Sequence, residues 1–332
     1  DVADGWMGSG NDVAVTATAS DHWHFASWSG ATGGCGVADN VITAAMTQAR
    51  AITANFAVDQ HTLTVVSAHG GANPGTTTSI WGTALSLYLT NSPVIPSGNT
   101  TQYVANGGAV VSNDFTEVGS TNITLTLTNN ATLTWDWLTN YWLALNTSGQ
   151  GSVDQTNGWH AADSNVTATA AASNYYRFAG WSGDTQGDTN SPAMTVPMDR
   201  ARFLLARFLE YQASNSTPHW WLDQYGLETN DTGALYDDGD PMPAWQEYIA
   251  GTDPTNQGSY FHIVTVSNLP PLTFYFDSAS NREYTLTFCT NLLNGAWTVM
   301  GPSNVPSSGG GFSLSETNSA IQRFYRIQVR LP

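Results

Sequence analysis

Residues 1–30 read DVADGWMGSGNDVAVTATASDHWHFASWSG, and residues 154–183 read DQTNGWHAADSNVTATAAASNYYRFAGWSG. A constant offset of 153 aligns Gly5-Trp6 with Gly158-Trp159, Phe25 with Phe178, and Trp28-Ser29-Gly30 with Trp181-Ser182-Gly183. After a slip of one residue, 46–56 (MTQARAITANF) aligns with 198–208 (MDRARFLLARF). Self-similarity of this kind is read before anything else, because it fixes the architectural unit. Residues 13–18 and 166–171 alternate apolar and polar positions, the period of a half-buried strand. Gly, Asn and Pro punctuate the runs between them, so each copy is expected to be a small antiparallel β module.

Between the copies lies a weaker third. HTLTVVS (61–67) and GTALSLYLT (82–90) alternate as strands, and NITLTLTNNATLTWDW (122–137) looks like a closing hairpin around Asn129-Asn130. The second strong copy is preceded by NYWLALNTSGQGSV (140–153), which alternates and ends in a Gly-rich turn. No such strand precedes residue 1 in the given sequence, so the first module is expected to lack its opening strand and carry an unpaired edge. Either the sequence is a window on a longer array, or a strand from a neighbouring chain fills the gap.

The pattern Tyr/His-x-Phe-x-x-Trp-Ser-Gly, then Met, then Asn-Phe, resembles the divergent bacterial relatives of the internalin B-repeat. Here the residues are Phe25, Trp28, Ser29, Gly30, Met46, Asn55 and Phe56, then Phe178, Trp181, Ser182, Gly183, Asp184, Met198 and Phe208. In the middle copy Asn106-Gly107-Gly108 stands where Gly-Trp is expected. The resemblance covers about residues 1–210. It implies β-grasp-like modules strung along large secreted surface proteins, usually as stalks or adhesive arrays without catalysis.

From residue 212 the character changes. HWWLDQYG (219–226) reads as one or two helical turns ended by Gly226. The run from Asp237 through Asp238, Asp240 and Glu247 to Asp253 resembles the calcium loops of thrombospondin type 3 and dockerin-like repeats. Closely spaced carboxylates can supply the six to eight oxygens that Ca²⁺ takes. With Glu247 as the twelfth loop position, Asp238 is third and Asp240 fifth, while Tyr236 and Pro241 depart from the pattern at the first and sixth. The competing reading is a helix N-terminus crowded with Asp, which suits the helix dipole without metal. That helix, 243–250, should stop at Gly251. Six strand candidates close the chain: 261–266, 272–277, 284–290, 297–300, 311–315 and 323–331. Residues 290–297 and 323–327 resemble C-terminal modules found after such calcium loops in secreted proteins of environmental bacteria.

The expected fold is therefore mainly β: tandem small β-grasp-like repeat modules, a short helical calcium-loop linker and a C-terminal antiparallel β-sandwich. The boundaries are 1–58 (lacking its first strand), 59–138 (divergent), 139–211, 212–258 (linker) and 259–332 (sandwich).

Composition narrows the function. The 332 residues carry 26 acidic and 9 basic groups, a formal charge of −17, and every basic group is an arginine. Such a surface repels nucleic acid and anionic lipid. No run approaches the roughly 18 apolar residues of a membrane helix. Without lysine there can be no Lys–Asn isopeptide crosslink, so any polymer must be held non-covalently. Cys35 and Cys289 are too few for a disulfide scaffold or a zinc site, and are read as free thiols with Cys289 in a strand core. His22 and His24 could share a strand face as metal ligands, but the aligned Tyr175 and Arg177 could not. Trp220, Trp221 or Trp142, if exposed, could stack on sugar rings. No nucleophile motif or phosphate loop appears, so no enzyme is expected. Seven Asn-x-Ser/Thr sequons, at Asn99, Asn122, Asn130, Asn146, Asn165, Asn215 and Asn230, are glycosylation candidates on an exposed protein.

These readings together point to an extracellular unit of a bacterial cell-surface filament or stalk. Its partners would be copies of itself, paired by strand complementation at the first module, and Ca²⁺ would be its cofactor. The alternative is an accessory adhesion or carbohydrate-binding region of a large secreted protein or polysaccharide-degrading enzyme, with surface polysaccharide as partner.

Overall fold

The computed structural model describes residues 4–332 apart from 268, 270, 294 and 317–321. Residues 1–3 of the first repeat copy, and Asn294 within the 290–297 segment, lie outside the described residues. The fold is mainly β. Two compact units share the chain: Asp1–Ala144 with Asn157–Val166 and Val196–Arg202, and Leu145–Thr156 with Thr167–Thr195 and Phe203–Pro332.

The first unit begins with β1 (Asp12–Thr16), β2 (Trp23–Gly30), β3 (Gly36–Ala38), β4 (Val41–Ala45) and β5 (Ile52–Val58). They form two small sheets, β1-β4-β3 and β2-β5. Alternation places Ile42 and Ala44 inward on β4. The middle segment follows with β6 (Gln60–Ser67), β7 (Ala72–Asn73), β8 (Thr77–Ile80), β9 (Thr83–Leu89), β10 (Thr101–Val111), β11 (Phe115–Gly119), β12 (Asn122–Leu127) and β13 (Ala131–Ser148). Its strand order differs from the outer copies. One sheet runs β11-β12-β9-β7; in the other, β6 lies between β8 and β13, and β10 pairs with β13. The β6–β13 pair is parallel, with Leu63 opposite Ala131 and Ser67 opposite Trp135. Leu63, Leu87, Ile123, Leu127 and Leu133, all fully buried, form its core. The chain continues into β14 (Gly151–Val153) and β15 (Gly158–Ala161). The latter pairs with β13, placing Trp142 opposite Trp159 with ring centroids 5.2 Å apart.

In the second unit β14, β16 (Asn165–Ala172) and β18 (Ala193–Pro197) form a three-stranded sheet, and β17 (Tyr176–Gly183) pairs with β19 (Arg202–Glu210). The sequence repeat is also a backbone repeat. Subtracting 153 from β17 gives β2, and subtracting 152 from β18 gives β4. The bulge between Phe25 and Ser27 recurs between Phe178 and Gly180. Gly30 (φ +92°) and Gly183 (φ +98°) hold the same left-handed position, where a Cβ would sit 2.3 Å from Ala51 O and 2.4 Å from Phe203 O respectively. No other residue fits there without moving backbone.

Three short helices follow: α1 (His219–Gln224), α2 (Asp231–Ala234) and α3 (Ala244–Ala250). Gly226 (φ +70°) and Gly251 (φ +80°) turn left-handed after α1 and α3, the stops the sequence predicts. Trp221, Leu222, Ala234 and Ala244 pack together beneath them.

The C-terminal sheet contains β20 (Ile263–Val266), β21 (Thr273–Cys289), β22 (Thr298–Val299), β23 (Val305–Ser315) and β24 (Phe324–Arg330). The strands expected at 272–277 and 284–290 are one strand, β21. It runs through the polar stretch between them on a bulge at Ser280/Arg282, with Asn281 at φ +55°. Every described pairing in this sheet is to β21. Phe274, Phe276, Tyr284, Leu286, Met300 and Leu314 form its buried core.

Candidate functional sites: an acidic cage and an open module

The loop before α3 folds three carboxylates inward by local hydrogen bonds. Asp237 Oδ1 accepts from Gly239 N (2.7 Å), Asp238 Oδ1 from Asp240 N (3.2 Å), and Asp240 Oδ1 from Met242 N (2.6 Å). Each Asp therefore spends one oxygen on the backbone. Ligand oxygens of all three lie within 4.8 Å of one another. Glu247, on α3, lies outside that group but feels the charges of Asp240 and Asp238. It is 0% exposed, and only its Oε1 has a hydrogen-bond donor, the Thr252 hydroxyl at 3.3 Å. Asp238 Oδ2, Asp240 Oδ2 and Glu247 Oε2 are all buried without a partner. Burial, then the charges of Asp240 and Asp238, push Glu247 up to about 7. A buried carboxylate with no cation nearby is held protonated, and a bound cation reverses that.

Three of the four residues the sequence nominates, Asp237, Asp238 and Asp240, come together with oxygen donors of the kind Ca²⁺ takes, and Glu247 is coupled by charge to Asp238 and Asp240. Asp253, at the end of the acidic run but not among the nominated ligands, adds a further negative charge acting on Glu247.

The other sequence candidates scatter. His22 stacks on Trp81, with ring centroids 3.8 Å apart, while His24 Nδ1 contacts Asp59 Oδ1 at 2.9 Å, so the two rings have separate partners. The expectation of an exposed Trp221 is corrected: it is 7% exposed, packed on Tyr225 and Tyr248, because its face of α1 turns into the helical core. Trp142 is half-buried against Trp159, and Trp220 donates to Glu210 Oε2 at 3.1 Å. Cys35 and Cys289 are both free, and Cys289 is buried in β21. Asn99, Asn122, Asn130, Asn146, Asn165 and Asn230 are exposed and Asn215 is half-buried. Asn130, Asn215 and Asn230 accept backbone hydrogen bonds from Thr62, Thr217 and Gly233.

The second site is a difference between the two copies. β16 spans eight residues, and its last three, Ala170, Ala171 and Ala172, pair with Val153, Ser152 and Gly151 of β14. β1 starts at the equivalent residue but spans five, ending where that partner would begin. Residues 17–19 have no strand partner among the described residues. Where Gly149 and Gly151 lie against Phe208, leaving it 4% exposed, the equivalent Phe56 is 37% exposed. Val166, Ala168, Trp181, Met198 and Leu204 are all buried. Their counterparts Val13, Val15, Trp28, Met46 and Ile52 line an open groove of about 610 Å³. Trp28 Nε1 is buried there without a partner, whereas Trp181 Nε1 donates to Pro192 O at 3.1 Å. Trp6 is fully exposed, while its counterpart Trp159 rests on Trp142.

No described helix is long and apolar enough to cross a membrane. No curated protein matches the chain significantly. Residues 2–60 and 141–212 match the divergent InlB B-repeat domain family, the same two segments that share a backbone. The first and third modules are thus B-repeat-like, carried in tandem on one chain with a β module of different strand order between them.

Proposed function

We propose that this protein is a non-enzymatic extracellular building unit of a bacterial cell-surface filament or stalk, assembled non-covalently by β-strand pairing between subunits. The observation that carries the reading is the open groove of the first module, where residues 17–19 have no strand partner among the described residues, set against the covered core of the third. An apolar core left open along one side, next to unpaired backbone, favours strand addition. B-repeat-like domains occur in surface proteins, which supports an extracellular setting. The lysine-free, sparsely charged sequence suits a durable outer part. Ca²⁺ in the Asp237–Asp238–Asp240–Glu247 cage would neutralise buried charge and fix α3. The adhesive alternative rests on an exposed aromatic platform, for which Trp220 is exposed, Trp142 half-buried and Trp221 buried.

Electron microscopy of the protein at millimolar calcium tests the reading. Filaments with a regular axial repeat are expected. Dispersed single particles at every concentration would overturn it.

A further inference from the structure

We infer that each B-repeat-like module ends in a joint that grips whatever element follows it and fixes that element's direction. The gripping surface is the left-handed residue of one turn together with the first residue after the closing strand. Its partner is the next element of the same chain, which must bring one backbone N–H and one planar side chain. The inference goes beyond the filament reading and holds whether or not subunits pair.

The first joint is one residue long. β5 ends at Val58 and β6 starts at Gln60, so Asp59 alone joins the first module to the middle one. Its N–H donates backward to His22 O at 2.8 Å, and its carbonyl accepts forward from Trp81 N–H at 2.7 Å. Its carboxylate meets His24 Nδ1 at 2.9 Å. His22, held at φ +67°, lays its ring flat on Trp81, with centroids 3.8 Å apart and planes 7° from parallel. Trp81 directly follows β8 of the middle module.

The same relay closes the third module. Tyr175, 153 residues after His22, holds φ +65°. Its carbonyl accepts from Tyr211 N–H at 2.7 Å, and Tyr211 O accepts from His219 N–H at 3.0 Å. Tyr211 is the first residue after β19, and His219 opens α1. The Tyr211 and His219 rings stack with centroids 6.0 Å apart, and the Tyr175 side chain is hydrogen-bonded to Asp223 of α1. Both turns are closed alike, Trp23 N–H donating to Ser20 O and Tyr176 N–H to Ser173 O, each at 3.0 Å. The followers differ in kind, a sheet in one case and a helix in the other, yet they meet one pattern. The joint therefore belongs to the repeat. A link swings when its φ and ψ are free and its polar groups bond water. Tied backward and forward, Asp59 and Tyr211 cannot rotate without breaking a bond to one neighbour.

The test uses the intact chain. Spin labels on Cys35 and on Ser86→Cys, on the exposed face of β9, report the distance distribution across the first joint; Cys289 is buried and stays unlabelled. Amide hydrogen exchange reads the bonds at Asp59 and Trp81 directly. The expected result is one narrow distribution, with both amides slowed about a hundredfold or more against an open chain. His22→Asn keeps a residue that tolerates the left-handed turn and removes the ring. It and Trp81→Ala should each broaden the distribution and speed exchange at Trp81 about tenfold, while β2 and β9 stay protected. Because both delete the same contact, the double variant should broaden it no further. Tyr175→Asn should likewise speed exchange at Tyr211 and His219. A broad wild-type distribution, or unprotected Asp59 and Trp81 amides, would overturn the inference. So would single variants as narrow as wild type. A narrow distribution in a protein that never forms filaments would uphold the joint and sink the filament.

Discussion

Replacing Glu247 by Gln separates the two readings of the acidic loop, because they predict opposite signs. In the unfolded chain a glutamate titrates near its ordinary 4.5, and in the fold Glu247 is pushed up to about 7 by burial and by Asp240 and Asp238. The folded state therefore binds the proton more tightly. In calcium-free buffer its stability is full below about pH 4.5 and declines as pH rises through about 7. The gap corresponds to about 3 kcal/mol at most. Glutamine keeps the acceptor for Thr252 and carries no charge, so Glu247→Gln should remove this loss. For a unit of this size that is roughly 6–12 °C in the melting temperature at pH 8. Calcium should close the gap between the two. The wild type should gain about 3 kcal/mol at a hundredfold excess over its dissociation constant. The variant, lacking one anionic ligand, should gain little. The assay is differential scanning calorimetry of both proteins from pH 4 to pH 8, with and without calcium. A Glu247→Gln protein that is less stable than wild type at pH 8 without calcium would refute the argument. So would an equal calcium response in both proteins.

Other outcomes follow from the repeat. Phe208→Ala should cost about 3–5 kcal/mol in urea unfolding, the range for a buried aromatic. Phe56→Ala, at a half-open position, should cost roughly 1–2 kcal/mol. Equal costs would mean that Phe56 is already covered in solution. Gly149→Ala should cost about 2 kcal/mol or more, because a Cβ there meets the Phe208 carbonyl at a positive φ. A thiol reagent should label Cys35 in the native protein and Cys289 only after unfolding, since Cys289 is 1% exposed.

Much of this architecture was written in short-range signals. Offsets of 153 and 152 located β16, β17 and β18 on β1, β2 and β4 because glycines such as Gly30 and Gly183 fix backbone that no other residue tolerates. The helix stops at Gly226 and Gly251 were legible for the same reason. The clustering of Asp237, Asp238 and Asp240 was legible from their spacing, but the burial of Glu247 was not, since that depends on which face of α3 turns inward. Signals requiring pairing across long separations were hidden. Residues 278–281 (SASN) look like a turn, yet β23 pairs on both sides of them and carries the strand through. The alternation of β6 and β13 says strand without saying that the two pair in parallel. Trp221 looks available in sequence, and only the packing of Tyr225 and Tyr248 shows its role.

The long β21 also has a consequence for how the C-terminal region fails. Because β20, β22, β23 and β24 each pair with β21, none has a described sheet neighbour other than that strand. A meander can shed an outer strand and keep the rest, but a hub cannot lose its centre and keep any of its spokes. Opening of β21 therefore exposes the whole sheet in one event, whereas each outer strand can open without the others.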